Sequence, residues 1–131
     1  MLGTLSTLFG KIVARRNRKF DSGRGVVHVN VPVISVGNLS VGGTGKTPIV
    51  QMIVRLLQSM GHRPAVILRG YRRATRGHLL VHDGTTLLAN AREAGDEAVL
   101  HATVLQVPVV VDEHKVDAAV FAAGMLPCDV I

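Results

Sequence analysis

The sequence predicts an α/β fold: a parallel sheet flanked by helices, with a small β-hairpin and an amphipathic helix at the N-terminus. Three observations carry this. Short β-branched apolar runs at 31–36, 65–68 and 107–111 alternate with helical apolar patterns at 47–60, 98–105 and 112–123. A glycine-rich stretch, 37–45, joins the first run to the first long helix. The 131 residues are 47% hydrophobic and 18% charged, which suits one compact core and excludes intrinsic disorder.

The elements follow in order. Leu2, Leu5, Phe9, Ile12 and Val13 recur at helical spacing, and Lys11, Arg15, Arg16, Arg18 and Lys19 give that helix a basic end. Such a helix either lies on an anionic membrane surface or packs its apolar stripe on the domain. A loop, 21–25, closes this segment, so 1–25 is read as a basic amphipathic arm and 26–131 as the folded domain. Ile49, Val50, Ile53, Val54, Leu56, Leu57 and Met60 give the next helix its apolar spacing. Pro48 sits in its first turn, where a missing N–H costs no bond, and Gly61 is placed to cap its end. Asp83-Gly84 between 78–82 and 85–88 predicts a two-residue hairpin. Gly95-Asp96-Glu97 precedes a helix that turns Ala98, Val99, Ala102 and Leu105 inward, and 127–131 starts a further strand. A chain that stops as it enters its own sheet is expected to be a fragment.

Composition limits the function. The single cysteine, Cys128, excludes a disulfide framework and a cysteine-based zinc site, and fits a reducing compartment. His78 and His82 share a strand face, but no third ligand accompanies them. The apolar stretches fall short of the roughly 18 residues of a membrane span. The charges at the N-terminus follow its apolar residues, unlike a secretory signal. Through Arg76 there are thirteen basic residues and one acid, Asp21; from Gly77 there are two basic residues and eight acids. A basic first half points to an anionic ligand or surface, or to a solvated face.

The chemistry centres on Gly42-Gly43-Thr44-Gly45-Lys46-Thr47, between a strand and a helix. Glycines let backbone N–H groups turn toward phosphate oxygens, and a helix N-terminus adds free donors. In this P-loop NTPase-like arrangement Ser40, Val41, Gly42, Gly43, Thr44, Gly45, Lys46 and Thr47 cradle a nucleotide. Lys46 bridges the β- and γ-phosphates and the Thr47 hydroxyl meets Mg²⁺. Ser40 stands where the common pattern has glycine, and the Gly42-Gly43 pair supplies the backbone freedom instead.

The run Ile34-Ser35-Val36-Gly37-Asn38-Leu39-Ser40-Val41-Gly42-Gly43-Thr44-Gly45-Lys46-Thr47-Pro48 closely resembles the start of the tetraacyldisaccharide 4'-kinases, the lipid A 4'-kinases. Arg69-Gly70-Tyr71-Arg72-Arg73, the hairpin at Asp83-Gly84 and Glu93-Ala94-Gly95-Asp96-Glu97 agree in order and spacing. The resemblance covers this whole sequence but only the N-terminal part of the family's. It implies ATP- and Mg²⁺-dependent phosphorylation of the 4'-hydroxyl of a tetraacylated glucosamine disaccharide, a lipid A precursor. The implied location is the cytoplasmic leaflet of the inner membrane, as a peripheral protein, with no nucleic acid and no known protein as partner. It further implies that Asp96 is the base on the sugar hydroxyl, that Glu97 lies near the metal, and that Arg69 and Tyr71 are on the substrate side. From the residues alone, Asp96 reads as a helix N-cap, Glu97 as first-turn charge and Arg69 and Tyr71 as an ordinary loop. This chain has Ala98 where the family often has proline. Lys115 stands where the family often has arginine, which suits bidentate phosphate contact less well. The family's Asp-Asp-Gly-Phe-Gln-His segment is expected just after Ile131, and a histidine that supports the base in a second domain. The alternatives are another P-loop ATPase or GTPase, or a truncated nucleotide- or membrane-binding module without catalysis.

Overall fold

Val66–Leu68 (β1) and Pro108–Val111 (β3) are short runs of β-branched and apolar residues, and in the computed structural model they pair in parallel, Val66 with Val109 and Leu68 with Val111. The structure describes residues 2–37 and 45–131. Leu79–Asp83 (β2) lies on the other side of β3 and runs antiparallel to it, with an irregularity between Leu80 and His82. The expected parallel sheet is therefore mixed, with the first arm of the expected hairpin joined to it. The reason is the connection: β2 is reached from β1 by an irregular loop, with no crossover helix to return the chain in the same direction.

Two further segments extend the sheet beyond β1. Pro64 bridges Val130 in parallel, and Ala65 N–H donates to Val130 O at 2.9 Å. Ile131 in turn is bracketed by Ile34 N–H, donating to Ile131 O at 2.7 Å, and by Pro32 O, accepting from Ile131 N–H at 3.0 Å. The run expected as a strand at 31–36 is thus extended backbone held by one pair of bonds, and the expected C-terminal strand is a single bridge.

Alternation along β1 builds two cores. Val66 and Leu68 join Val109, Val111 and Val81 under helix α2 (Lys46–Ser59) and helix α4 (Asp96–Leu105), through Val50, Val54, Ala98, Ala102 and Leu105. Ala65 and Ile67 face helix α5 (Lys115–Met125), packing with Ala119, Ala122, Cys128 and Ile131. Alanines on the buried faces of α4 and α5 bring both helices close to the sheet. Each fully buried valine contributes roughly 1.5–3 kcal/mol of burial free energy.

Boundaries differ from expectation for local reasons. Helix α5 begins at Lys115 rather than at Asp112, because the buried Asp112 carboxylate accepts the His114 N–H at 2.8 Å and holds a turn there. The hairpin turns over Gly84-Thr85, one residue later than predicted: Asp83 N–H donates to Thr86 O, and Gly84 takes φ 106°. The Asp83 carboxylate accepts the N–H groups of Thr85 and Thr86, both at 2.7 Å, which fixes the turn. Its returning arm is one bridge, His82 to Leu87, rather than a strand. Helix α3 (Ala91–Ala94) is a short element that the periodicity does not announce, started by a capping box between Asn90 and Glu93. Gly61 caps α2 as expected, at φ 85°, with His62 N–H reaching back to Leu57 O.

Helix α1 spans Leu2–Asp21. Of its predicted apolar stripe, Ile12 is exposed and Val13 half-buried, while the side chains of Leu2, Leu5 and Phe9 lie outside the described residues. Among the described residues no helix is long and apolar enough to cross a membrane.

Candidate active site

The start of α2 is set by Gly45, which takes φ 74° and turns the chain into the helix without a side-chain cap. Lys46 and Thr47 are the first two helical residues, and Pro48 follows in the first turn as expected. The first-turn N–H groups have no intrahelical acceptors, and the helix dipole gives this end positive potential. Ser40, Val41, Gly42, Gly43 and Thr44 lie outside the described residues.

The start of α4 comes from the other half of the chain and meets this point. Thr47 Oγ1 donates to Glu97 Oε1 at 2.7 Å, across fifty positions of sequence. The two residues singled out for a metal site are therefore in contact. The set is a hydroxyl and a carboxylate, hard oxygen donors that suit Mg²⁺. Asp96 is the first residue of α4, beside Glu97, and is exposed. The reading of Asp96 as an N-cap is corrected. Gly95 holds that position, because φ 92° and ψ 149° are backbone angles that only glycine adopts readily, and no side-chain cap bond forms. Asp96 makes no hydrogen bond or ion pair among the described residues, which leaves its carboxylate available for chemistry.

The loop after β1 is pressed onto this corner. A Cβ on Gly95 would stand 3.0 Å from Tyr71 O, and one on Gly70 would stand 2.9 Å from Ala94 O. Glycine at both positions lets the two backbones approach this closely. Ala74 N–H donates to Arg92 O at 2.8 Å and Thr75 Oγ1 to Glu93 O at 2.7 Å. The Tyr71 side chain remains 79% exposed, with the Arg72 guanidinium 5.3 Å from its ring centre. Arg69 is exposed and shares an open depression with Glu113, His114, Lys115 and Asp117. The structure thus brings Lys46, Thr47, Asp96 and Glu97 to one end of two adjacent helices. It fastens the Arg69–Tyr71 loop beside them through Gly70 and Gly95.

Other residues that sequence reasoning passed over support this corner. Arg73 is buried to 3% side-chain exposure and donates to Thr75 Oγ1, Gly77 O and Glu113 Oε2. Glu113 also accepts from Gly77 N–H at 2.9 Å. Its own backbone N–H, then that of Gly77 and the Arg73 charge, hold the Glu113 carboxyl below its ordinary value. No pattern announces Arg73, which resembles its exposed neighbours Arg72 and Arg76. His101 is 2% exposed, with Nε2 3.8 Å from Glu97 Oε1 and Nδ1 without a partner among the described residues. Burial pushes the His101 pKa down, and the Glu97 charge opposes that shift. Its place four residues after Glu97 is the signal that would have found it. No cluster of three or more His, Cys, Asp or Glu side chains forms among the described residues.

Comparison with known proteins finds one family model and several relatives. The family model described as LpxK, tetraacyldisaccharide-1-P 4'-kinase, matches residues 1–131. The tetraacyldisaccharide 4'-kinase of Chlorobaculum tepidum is 42% identical over 123 residues, covering 92% of this chain and 35% of the relative. The enzyme of the same name from Geobacter sulfurreducens is 42% identical over 133 residues, covering 99% of this chain and 38% of the relative. Among solved structures, the "apo" form of LpxK from Aquifex aeolicus in complex with ATP superposes with a TM-score of 0.82 at 40% identity. That match covers 96% of this chain and 40% of the other. The chain spans a little over a third of the length of these relatives.

Proposed function

The chain belongs to the tetraacyldisaccharide-1-P 4'-kinase family, and from that premise we propose that it carries the nucleotide half of an ATP-dependent lipid kinase. The reaction is transfer of the γ-phosphoryl group of ATP to the 4'-hydroxyl of a tetraacylated glucosamine disaccharide. The observation that carries this reading is the Thr47–Glu97 hydrogen bond of 2.7 Å, which ties the phosphate-loop helix to the helix that bears Asp96.

In this reading the loop 40–47 holds the triphosphate through backbone N–H groups, and Lys46 balances charge between the β- and γ-phosphates. Thr47 and Glu97 are the residues that would hold Mg²⁺, which when bound offsets the charge of the phosphate oxygens. Asp96 accepts the proton of the 4'-hydroxyl as that oxygen attacks phosphorus, and the bond from phosphorus to the β–γ bridging oxygen breaks, leaving ADP. Arg69 and Tyr71 lie on the acceptor side, fixed by the docking of Gly70–Tyr71 on Gly95. The α1 segment, with Lys11, Arg15, Arg16, Arg18 and Lys19, forms an arm apart from the 26–131 domain and lies on the anionic cytoplasmic leaflet of the membrane that holds the lipid substrate.

The test is direct. Full-length protein with ATP labelled at the γ-phosphate, Mg²⁺ and the tetraacyldisaccharide 1-phosphate should yield labelled lipid. Release of the label as inorganic phosphate alone would favour a P-loop ATPase instead.

A further inference from the structure

Glu97 is an exposed side chain, 51% open to solvent, on the first turn of α4. A glutamate there has several rotamers open to it, and holding one costs side-chain entropy. Two groups face the same oxygen of this one, the first as a hydrogen-bond donor and the second as an ion-pair neighbour. The Thr47 hydroxyl reaches Oε1 from α2 at 2.7 Å. From one helical turn below, His101 Nε2 stands 3.8 Å from Oε1. His101 itself is 2% exposed, on the face of α4 that also buries Ala98, Ala102 and Leu105. Its Nδ1 has no hydrogen-bond partner among the described residues.

An imidazole in that place is not explained by packing. An apolar side chain of similar size would fill the space without stranding a polar atom, and a buried nitrogen without a partner is destabilising. Among the described residues the ion-pair neighbour of the ring is the Glu97 carboxylate, on the Nε2 side, so the ring proton belongs on Nε2.

We propose that His101 is a positioning residue for Glu97: its imidazole, with Nε2 3.8 Å from Oε1, keeps the carboxylate turned toward Thr47, where Thr47 and Glu97 would hold a divalent cation. The proposal rests on the reading of Glu97 as a metal-site residue. It gives His101 the role that outer partners of metal-bound carboxylates commonly have, where loss costs roughly tenfold or more in metal affinity.

The experiment uses Mn²⁺ as the probe on the full-length protein without lipid. Mn²⁺ binding in the presence of ATP is read from loss of the free-ion electron paramagnetic resonance signal, and the melting temperature is measured alongside. His101→Leu should weaken Mn²⁺ binding roughly tenfold, while its melting temperature holds or rises and its affinity for ATP without divalent ion is unchanged. His101→Gln, which returns an N–H donor, should recover Mn²⁺ binding to within about threefold of wild type. If His101→Leu does not fold, His101→Met fills the same space and carries the same comparison. Wild-type Mn²⁺ binding in the apolar variant overturns the proposal, as does a glutamine variant no better than leucine. Failure of the lipid-kinase reading alone would leave wild-type Mn²⁺–ATP binding intact, so the two failures are distinguishable.

Discussion

Gly95 is the hinge on which the candidate site is assembled, and replacing it by alanine tests the assembly. At φ 92° and ψ 149° an L-residue is strained, by about 1–3 kcal/mol. The new Cβ would also stand 3.0 Å from Tyr71 O, and the neighbouring atoms are backbone of Gly70, which cannot rotate away as a side chain would. Overpacking of this kind adds about 1–3 kcal/mol. The two together are on the order of 3 kcal/mol, which lowers the melting temperature of a domain this size by roughly 10 °C. Gly124 supplies the control. It lies inside α5 with nothing within 4 Å of an added Cβ, so Gly124→Ala should stabilise the protein by about 0.5–1 kcal/mol. Thermal denaturation of the two variants should therefore shift in opposite directions. A Gly95→Ala protein within 2 °C of wild type would refute the close approach of the Tyr71 loop to α4.

Three further outcomes are expected. Asp96→Asn should keep its melting temperature and ATP affinity while losing most of its phosphoryl-transfer rate, since Asp96 makes no cap bond to preserve; a near-normal rate would remove it as the base. The Thr86 N–H, then the Thr85 N–H and hydroxyl, lower the Asp83 pKa from 3.8 to about 2, so its contribution is present above the unfolded pKa and fades as pH falls through the folded one. Asp83→Ala should thus melt below wild type by a constant gap above pH 4, narrowing toward pH 2; a gap constant to pH 2.5 would contradict the hairpin geometry. Full-length protein should float with anionic vesicles more than neutral ones, and less as salt rises, because of the basic residues of α1; equal flotation would assign α1 to internal packing.

Much of the fold is legible in the sequence because its signals are local. The short apolar runs of β1 and β3, the apolar spacing of α2 and the cap at Gly61 each depend on neighbours in the chain. The direction of β2 is not local. It follows from the helix-free 69–77 loop that joins it to β1, and nothing in 79–83 says which strand it pairs with. The start of α5 was missed because Asp112 is a buried carboxylate bonded to the His114 N–H, whereas in sequence it looks like an ordinary first-turn acid. The candidate site was legible residue by residue through the glycine loop and the family resemblance. The bond between Thr47 and Glu97, the freedom of Asp96 from capping and the buried place of His101 arise only when the two helix starts are brought together.

In the proposed reaction Lys46, at the start of α2, handles the γ-phosphate for transfer to a lipid hydroxyl. The most direct test of that role is the rate of labelled phosphoryl transfer to the tetraacyldisaccharide 1-phosphate by full-length Lys46→Ala at saturating ATP and Mg²⁺. The rate should fall roughly 100-fold or more with an unchanged melting temperature, because Lys46 is a helix-start residue whose replacement by alanine costs the helix nothing. A rate within about twofold of wild type would contradict that role.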